Sequence, residues 1–455
     1  MHLSIPKELL DSLEHVKGFD RKTFEAVHES EEQVVSVRLN PEKEFNMQFS
    51  TLNIQSSIPW CPYGKYLSER PSFTLDPLLH AGAYYVQEAS SMFLWKVLEQ
   101  TVGKNTSGLK VLDLCGAPGG KSTLLASYFK DGLIVSNEVI KSRAAILVEN
   151  ITKWGSENVV ITNNDPKDFT TLQNYFDVIV VDAPCSGSGL FRKNPEAIEE
   201  WSEENVILCS HRQQRILADV FPSLKKNGIL IYSTCSYSQE EDEDIVDWMV
   251  EKFSMDNLQL TTENEWKILE TQSEKRKVFG YRFFPDKVNG EGFFIAAFKK
   301  NEGEEIAYRI PQLTSASKQE IIIAKNWIKE NKNLFFFKQY ENIIAIPLQW
   351  KQDVALFQQN LYLRKAGVTS GSLKGKDLIP DHELAMSLLL NENTSSLNLN
   401  YEQAVQYLKK KDVAVADARK GWNIVKYCDV NLGWIKILQN RANNYYPTNW
   451  RILKD

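Results

Sequence analysis

Cysteine is scarce: the chain has six in 455 residues, with no Cys-x-x-Cys pair. That excludes a disulfide framework and a zinc ribbon and leaves reduced thiols, each of which can serve as a nucleophile. Long apolar runs are missing too. The first twenty residues, MHLSIPKELLDSLEHVKGFD, hold no apolar core of the kind a secretory leader needs, and no uncharged stretch is long enough to span a bilayer. A cytoplasmic protein with no membrane partner is expected. Positive charge is not in excess: 53 Lys and Arg face 59 Asp and Glu, a net charge of −6. The chain as a whole is therefore no basic coat for nucleic acid, and any RNA contact must be a local patch. What is present, 43% hydrophobic and 25% charged residues, is the composition of folded domains, about three of them at this length.

Three polar, turn-rich stretches read as joints: 50–72 (STLNIQSSIPWCPYGKYLSERPS), 301–319 and 391–398. Between the first two, short continuous apolar runs alternate with helical periodicity. The runs are LKVLDLC (109–115), LIVSNEV (133–139), NVVITN (158–163), FDVIVVDA (176–183) and GILIYS (228–233). Strands apolar on both sides belong in a parallel sheet covered on both faces. Ala144, Leu147, Val148, Ile151 and Trp154 share one helical face, with Gly155 placed to end that helix. The pattern predicts a doubly wound α/β domain. The run GFFIAAFKK (292–300) reads as one arm of an antiparallel hairpin at the sheet edge. Residues 401–455 carry ten Lys and Arg against five Asp and Glu, with Trp422, Tyr427, Trp434, Tyr445, Tyr446 and Trp450 interspersed. Cations and rings together suit an RNA-binding module, and equally a small β-domain whose aromatics are core.

The first strand runs into VLDLCGAPGGKST (111–123), where Gly116, Gly119 and Gly120 allow close approach of a ligand to the backbone. A P-loop is excluded, because Gly116 and Gly120 enclose three residues where four are needed. Glu138 ends the second strand, where a carboxylate can take ribose hydroxyls; Asp165 ends the third and Asp182 the fourth. A lone carboxylate at a strand end is more often a cap or a turn former, but the series converges on one crevice. The missing Gly-x-Gly-x-x-Gly spacing favours a mononucleoside such as S-adenosylmethionine over NAD.

Strands four and five end in VVDAPCSGSG (180–189) and IYSTCSYSQEEDE (231–243), which place Cys185 and Cys235 just beyond the sheet. Cys61, Cys209 and Cys428 read as packing. Two thiols beside a methyl donor suit one chemistry above others. Carbon 5 of cytosine becomes nucleophilic only after a thiolate adds to carbon 6, and a second group must then remove the carbon-5 proton. Asp182 can hold ring nitrogen 3 and the exocyclic amine, with Lys121 assisting. Arg192, Lys193, His211, Arg212 and Arg215 could face phosphates or form solvated helix faces. The acidic run 240–244 reads as a complement to a helix dipole with no catalytic part.

LDLCGAPGGKS, FDVIVVDAPCSGSG, RKNPE (192–196) and YSTCSYSQEEDE, in this order, resemble the Sun-type RNA (cytosine-5) methyltransferases. PWCPYG (59–64), YVQEASSM (85–92), RFFPDKVNGEGFF (282–294), LGWIK and NNYYPTNWR extend the likeness to the bacterial 16S ribosomal RNA methyltransferase F group. The resemblance implies a class I S-adenosylmethionine-dependent methyltransferase, a Rossmann-like seven-stranded α/β sheet, with an N-terminal α+β domain and a C-terminal PUA-like RNA-binding module. The corresponding boundaries are 1–85, a catalytic domain over 86–300, a linker over 301–319, an intermediate domain over 320–390 and the PUA-like module over 399–455. It implies that Cys235 is the nucleophile and Cys185 assists release, a choice that spacing leaves open and that DNA cytosine methyltransferases make the other way. It further implies cofactor contacts from Cys115, Gly116, Ala117, Pro118, Gly119, Gly120 and Lys121, then Glu138, Asp165 and Asp182, with no metal. The expected substrate is 16S ribosomal RNA of the small subunit, methylated by a monomer. A transfer-RNA methyltransferase and a non-catalytic assembly factor are the alternatives. The chain departs from the group at two positions read as peripheral: Val178, where many members are basic, and Asp286, where Pro-His is commoner than Pro-Asp.

Overall fold

The computed structural model describes residues 4–30, 32–45, 50–413 and 418–454. Residues 1–3, 31, 46–49, 414–417 and 455 fall in the first twenty residues and in the expected terminal domains, and lie outside the described residues. Seven strands form the centre: β1 (Lys110–Asp113), β2 (Leu133–Asn137), β3 (Val159–Thr162), β4 (Phe176–Asp182), β5 (Leu224–Thr234), β6 (Phe279–Phe283) and β7 (Phe293–Lys300). Their order in space is β3-β2-β1-β4-β5-β7-β6. Strands β1 to β5 run parallel, and β7 is antiparallel to both neighbours. This is the seven-stranded Rossmann-like sheet of the expected fold class. Leu269–Gln272, Met255–Leu258 and Leu363–Ala366 widen it to ten strands.

The hairpin at 279–300 forms, but β7 is not at an edge. It lies between β5 and β6, and Phe293–Phe298 is buried throughout. Six consecutive apolar residues need cover on both faces, and the two cores that flank the sheet supply it, Phe294, Ala296 and Phe298 on one side and Phe293, Ile295 and Ala297 on the other.

Alternate residues of each strand feed two cores. Leu133, Val135, Ile179, Val181, Leu230 and Tyr232 face one side, while Ile134, Val178, Val180, Ile229 and Ile231 face the other. Val178 is thus central rather than peripheral. Helices α1 (Gly120–Tyr128) and α2 (Lys141–Trp154) cover the second face; α3 (Glu203–Val220) and α4 (Glu243–Lys252) cover the first. Ala144, Leu147, Ile151 and Trp154 of α2 are buried, each large side chain contributing roughly 1.5–3 kcal/mol. The helix stops at Gly155, in the left-handed region at φ 93°, where a Cβ would stand 2.5 Å from the Met386 carbonyl oxygen.

The stretch 50–72 is not a joint. Ile54–Ser57 and Gly64–Leu67 are strands of a four-stranded sheet with Val35–Leu39 and Tyr84–Val86; its turn formers make the bend at 58–63. That sheet shares a core with the C-terminal module: Val35, Val37, Leu67 and Tyr84 pack with Tyr407, Leu408, Val425, Leu432, Ile435 and Tyr446. Most aromatics of the tail are therefore packing, Trp434 and Tyr446 nearly completely. Between these ends, residues 334–380 build another four-stranded sheet, while Leu363–Ala366 runs antiparallel to β3.

Candidate active site at the carboxyl edge of the sheet

The loop leaving β1 turns sharply into α1. Gly119 has φ 122°, and a Cβ on Gly116 would stand 2.8 Å from Ser122 Oγ, so neither position accepts a side chain freely. The turn is tied from outside. Gly116 N donates to the Asn137 carbonyl at 2.7 Å, Arg143 Nη2 to the Ala117 carbonyl at 2.9 Å, and Asn150 Nδ2 to the Pro118 carbonyl at 2.8 Å. Cys115 is part of this wall; burial, with the Asp113 and Glu138 charges behind it, pushes its thiol far above the ordinary range.

Two carboxylate oxygens here are open. Asp113 is fully buried: Oδ2 accepts from Ser122 Oγ at 2.6 Å, while Oδ1 has no donor. Burial lifts the Asp113 carboxyl to about 7. Glu138 is 2% exposed; Oε1 accepts from Ile140 N at 2.8 Å, and Oε2 has no hydrogen-bond donor, with Arg143 Nη1 3.4 Å away. Buried acceptors without donors are what a ligand carrying hydroxyls and an ammonium would complete, so the residues present fit S-adenosylmethionine. Asp165 differs: its carboxylate caps Lys167 N at 3.2 Å and receives Arg215 Nη1 at 3.1 Å.

The other half of the cleft holds the sulfurs. Cys185 and Cys235 come from loops after adjacent parallel strands, β4 and β5, and their Sγ atoms are 3.1 Å apart. The hydrogen bond with Cys235, then burial, then the charges of Cys235 and Glu241 hold the Cys185 thiol well above its ordinary range. Asp182 Oδ1 accepts from Ser233 Oγ at 2.8 Å, and Oδ2 pairs with Lys121 Nζ at 2.8 Å. Burial works against the Lys121 ammonium, but Asp182, with Asp113 and Cys235, more than offsets it and keeps it above its usual value. The structure thus gathers Lys121, Asp182, Cys185 and Cys235 beside the glycine turn.

The acidic run divides: Glu243 and Asp244 stand in the first turn of α4, where they suit the helix dipole, while Glu241 and Asp242 ahead of that turn are fully buried. Glu241 Oε1 accepts from Ser186 N at 2.8 Å and Gln213 Nε2 at 3.2 Å; Oε2 accepts from Ser186 Oγ at 2.5 Å and Ser236 Oγ at 2.6 Å. Asp242 accepts from Thr234 Oγ1 at 2.6 Å, and Arg282 pairs with both Asp242 and Glu243. Sequence reasoning missed this layer, since carboxylates just ahead of a helix look like surface residues; a buried arginine in the strand β6, Arg282, was the available signal. Two cations also move out of the expected phosphate-facing set. Arg192 is engaged with the Glu32 carbonyl and Glu291, and Arg215 with Asp165 and Asp219. His211 and Arg212 are exposed. Asp286 accepts from Thr23 Oγ1 at 2.7 Å. Among the described residues no cluster of metal-ligating side chains occurs, and no helix is long and apolar enough to cross a membrane.

Comparison with known proteins adds three family models: 16S rRNA methyltransferase RsmB/F over residues 101–299, the N-terminal domain of 16S rRNA methyltransferase RsmF over 5–89, and the methyltransferase RsmF PUA domain over 394–452. The ribosomal RNA small subunit methyltransferase F of Aliivibrio fischeri is 31% identical over 86% of this chain and 84% of its own length. That of Psychromonas ingrahamii is 32% identical over 87% and 85%. A methyltransferase homologue from Pyrococcus horikoshii superimposes with a TM-score of 0.51 at 27% identity, covering 65% of this chain and all of its own.

Proposed function

The chain belongs to the RsmB/F family of 16S rRNA methyltransferases, and from that premise we propose that it methylates carbon 5 of a cytosine in 16S ribosomal RNA through a covalent adduct on Cys235. The observation that carries this reading is the pair of sulfurs 3.1 Å apart beside the Lys121–Asp182 ion pair. S-adenosylmethionine, the methyl donor, supplies an electrophilic methyl group when bound; Cys115 to Lys121, Asp113 and Glu138 are the residues that would hold it, with Asp165 and Asp182, already paired with Arg215 and Lys121, at the margins of its site. The target base must leave its stack to reach this cleft.

Asp182 then anchors the cytosine edge while Lys121 supplies positive charge. Cys235 Sγ, its proton lost to water, adds to carbon 6, the electron pair shifts to carbon 5, and that carbon forms its new bond to the methyl group as the donor's sulfur–methyl bond breaks. Cys185 is the sulfur that keeps its proton at this stage, since the Cys235 hydrogen bond, burial and nearby charge all favour the thiol. Once Cys235 is bonded to the base, the largest of those influences disappears. Cys185 then gives its own proton to water and, as the thiolate, takes the carbon-5 proton, directly or through water, while the electron pair released from that C–H bond expels Cys235. The C-terminal module, matched by the PUA model, and the basic residues of the tail would dock the RNA.

The test is trapping. Cys185→Ala, incubated with 16S RNA and cofactor, is expected to accumulate a protein–RNA adduct that survives denaturing electrophoresis, whereas Cys235→Ala gives none. An adduct formed by Cys235→Ala alone would reverse the two roles.

A further inference from the structure

The residues that follow the two thiols meet on one carboxylate. Ser186 comes directly after Cys185 and Ser236 directly after Cys235, and both hydroxyls donate to Glu241 Oε2. We propose that Glu241 is a positioning residue that clasps the loops after β4 and β5 and thereby sets the spacing of the Cys185 and Cys235 sulfurs. The proposal rests on the two-thiol reading above.

Three observations support it. Burying a carboxylate is costly unless its oxygens are satisfied, and here four donors converge on Glu241 from β5's own loop, from the β4 loop and from α3. The neighbouring acids have a cation, Arg282, within the same layer; Glu241 has serines, a glutamine and a backbone N–H instead. It is therefore arranged to hold polar loop atoms rather than to balance charge. The clasp is also anchored from below, since the Tyr232 hydroxyl donates to the Glu241 carbonyl at 2.6 Å. Other links join the same loops: Gly189 N donates to the Cys235 carbonyl at 2.9 Å, and Tyr237 N to Ser188 Oγ at 2.9 Å. Those bonds hold the loops as a pair, and Ser186 Oγ stands 3.4 Å from Ser236 Oγ, while Glu241 takes a much shorter hydrogen bond from each of these two serines. The carboxylate charge also acts on Cys185, favouring its protonated form.

The spacing can be read without catalysis. Diamide oxidises two adjacent thiols to a disulfide, taking up both protons and both electrons, and its rate in the full-length protein follows how often the sulfurs meet. Glu241→Ala should slow formation of the Cys185–Cys235 disulfide, followed by alkylation and peptide mapping, by about tenfold or more, because loosening a constellation by a fraction of an ångström is enough. Glu241→Gln should stay within about threefold of the parent, its amide still reaching both serines, whose hydroxyls can accept as well as donate. Gly155→Ala, strained and far from the sulfurs, should lower the melting temperature and leave the disulfide rate alone. A parent-like disulfide rate in folded Glu241→Ala overturns the clasp. A slowed rate with parent-like methyl transfer keeps the clasp and overturns the two-thiol mechanism. Should Glu241→Ala not fold, Ser236→Ala removes one arm and is read the same way: slowing supports the clasp, and an unchanged rate overturns it.

Discussion

The two halves of the cleft are finished to different degrees. On the cofactor side, buried oxygens of Asp113 and Glu138 have no donor. On the sulfur side, both oxygens of Glu241 and both of Asp182 are engaged within the protein. The contrast separates two tasks. A binding surface keeps acceptors open for its ligand to complete, whereas a reacting constellation is held by the protein before the substrate arrives. Substitutions should divide accordingly, into losses of rate and losses of affinity.

The largest expected effect falls on the sulfur side. Asp182→Asn weakens the hold on Lys121 and on the cytosine edge, and single-turnover methylation should fall by about 10²-fold or more. A rate within threefold of the parent would remove Asp182 from the reacting half. Next comes Glu138→Gln. Losing one charge-assisted hydrogen bond, worth about 1.5–3 kcal/mol, should raise the dissociation constant for S-adenosylmethionine by about 10- to 100-fold. Titration calorimetry checks the affinity, and the single-turnover rate at saturating cofactor should stay near that of the parent. A variant that bound normally but reacted slowly would erase the division between the halves.

The same contrast explains what could be read in advance. Gly116, Gly119, Gly120, Cys185 and Cys235 stand at strand ends in short polar motifs, because a turn tight enough for a cofactor and a thiol at a sheet edge each need particular residue types in consecutive positions. Glu241 carried no such mark. Its partners, Ser186, Gln213 and Ser236, come from three separate elements, and only folding shows that they converge. The shared core of the first and last domains was illegible for the same reason: Val37 and Tyr407 belong to one core although most of the chain separates them. The sheet itself was legible because each strand is apolar on both faces. The interior place of β7 and the added strand Leu363–Ala366 were not, since lateral order leaves no periodic trace.

That terminal core offers a third case, in which open polar atoms await no ligand. Both ring nitrogens of His382 are buried without a hydrogen-bond partner, and the ring stands edge-on to Tyr446 and Trp450. Burial, with Lys153, Lys43 and Lys410 nearby, lowers His382 to about 3; burial likewise lowers His80, beside Tyr446, to about 4. Both groups stay neutral in the folded protein below the pH at which the unfolded chain, with ordinary histidines near 6.5, takes up protons. Between about pH 6.5 and 4 the unfolded state therefore binds more protons, and stability falls on acidification by at most about 1.4 kcal/mol per pH unit for each histidine. The melting temperature should drop from pH 7 to pH 5. His382→Phe keeps an aromatic ring against Tyr446 and Trp450 but cannot titrate, so its melting curve should fall less steeply over that range, by a few degrees at pH 5. Parallel curves for the variant and the parent would mean that the ring is protonated in place. Its open nitrogens would then have to find partners, as the open carboxylate oxygens of the cofactor half do.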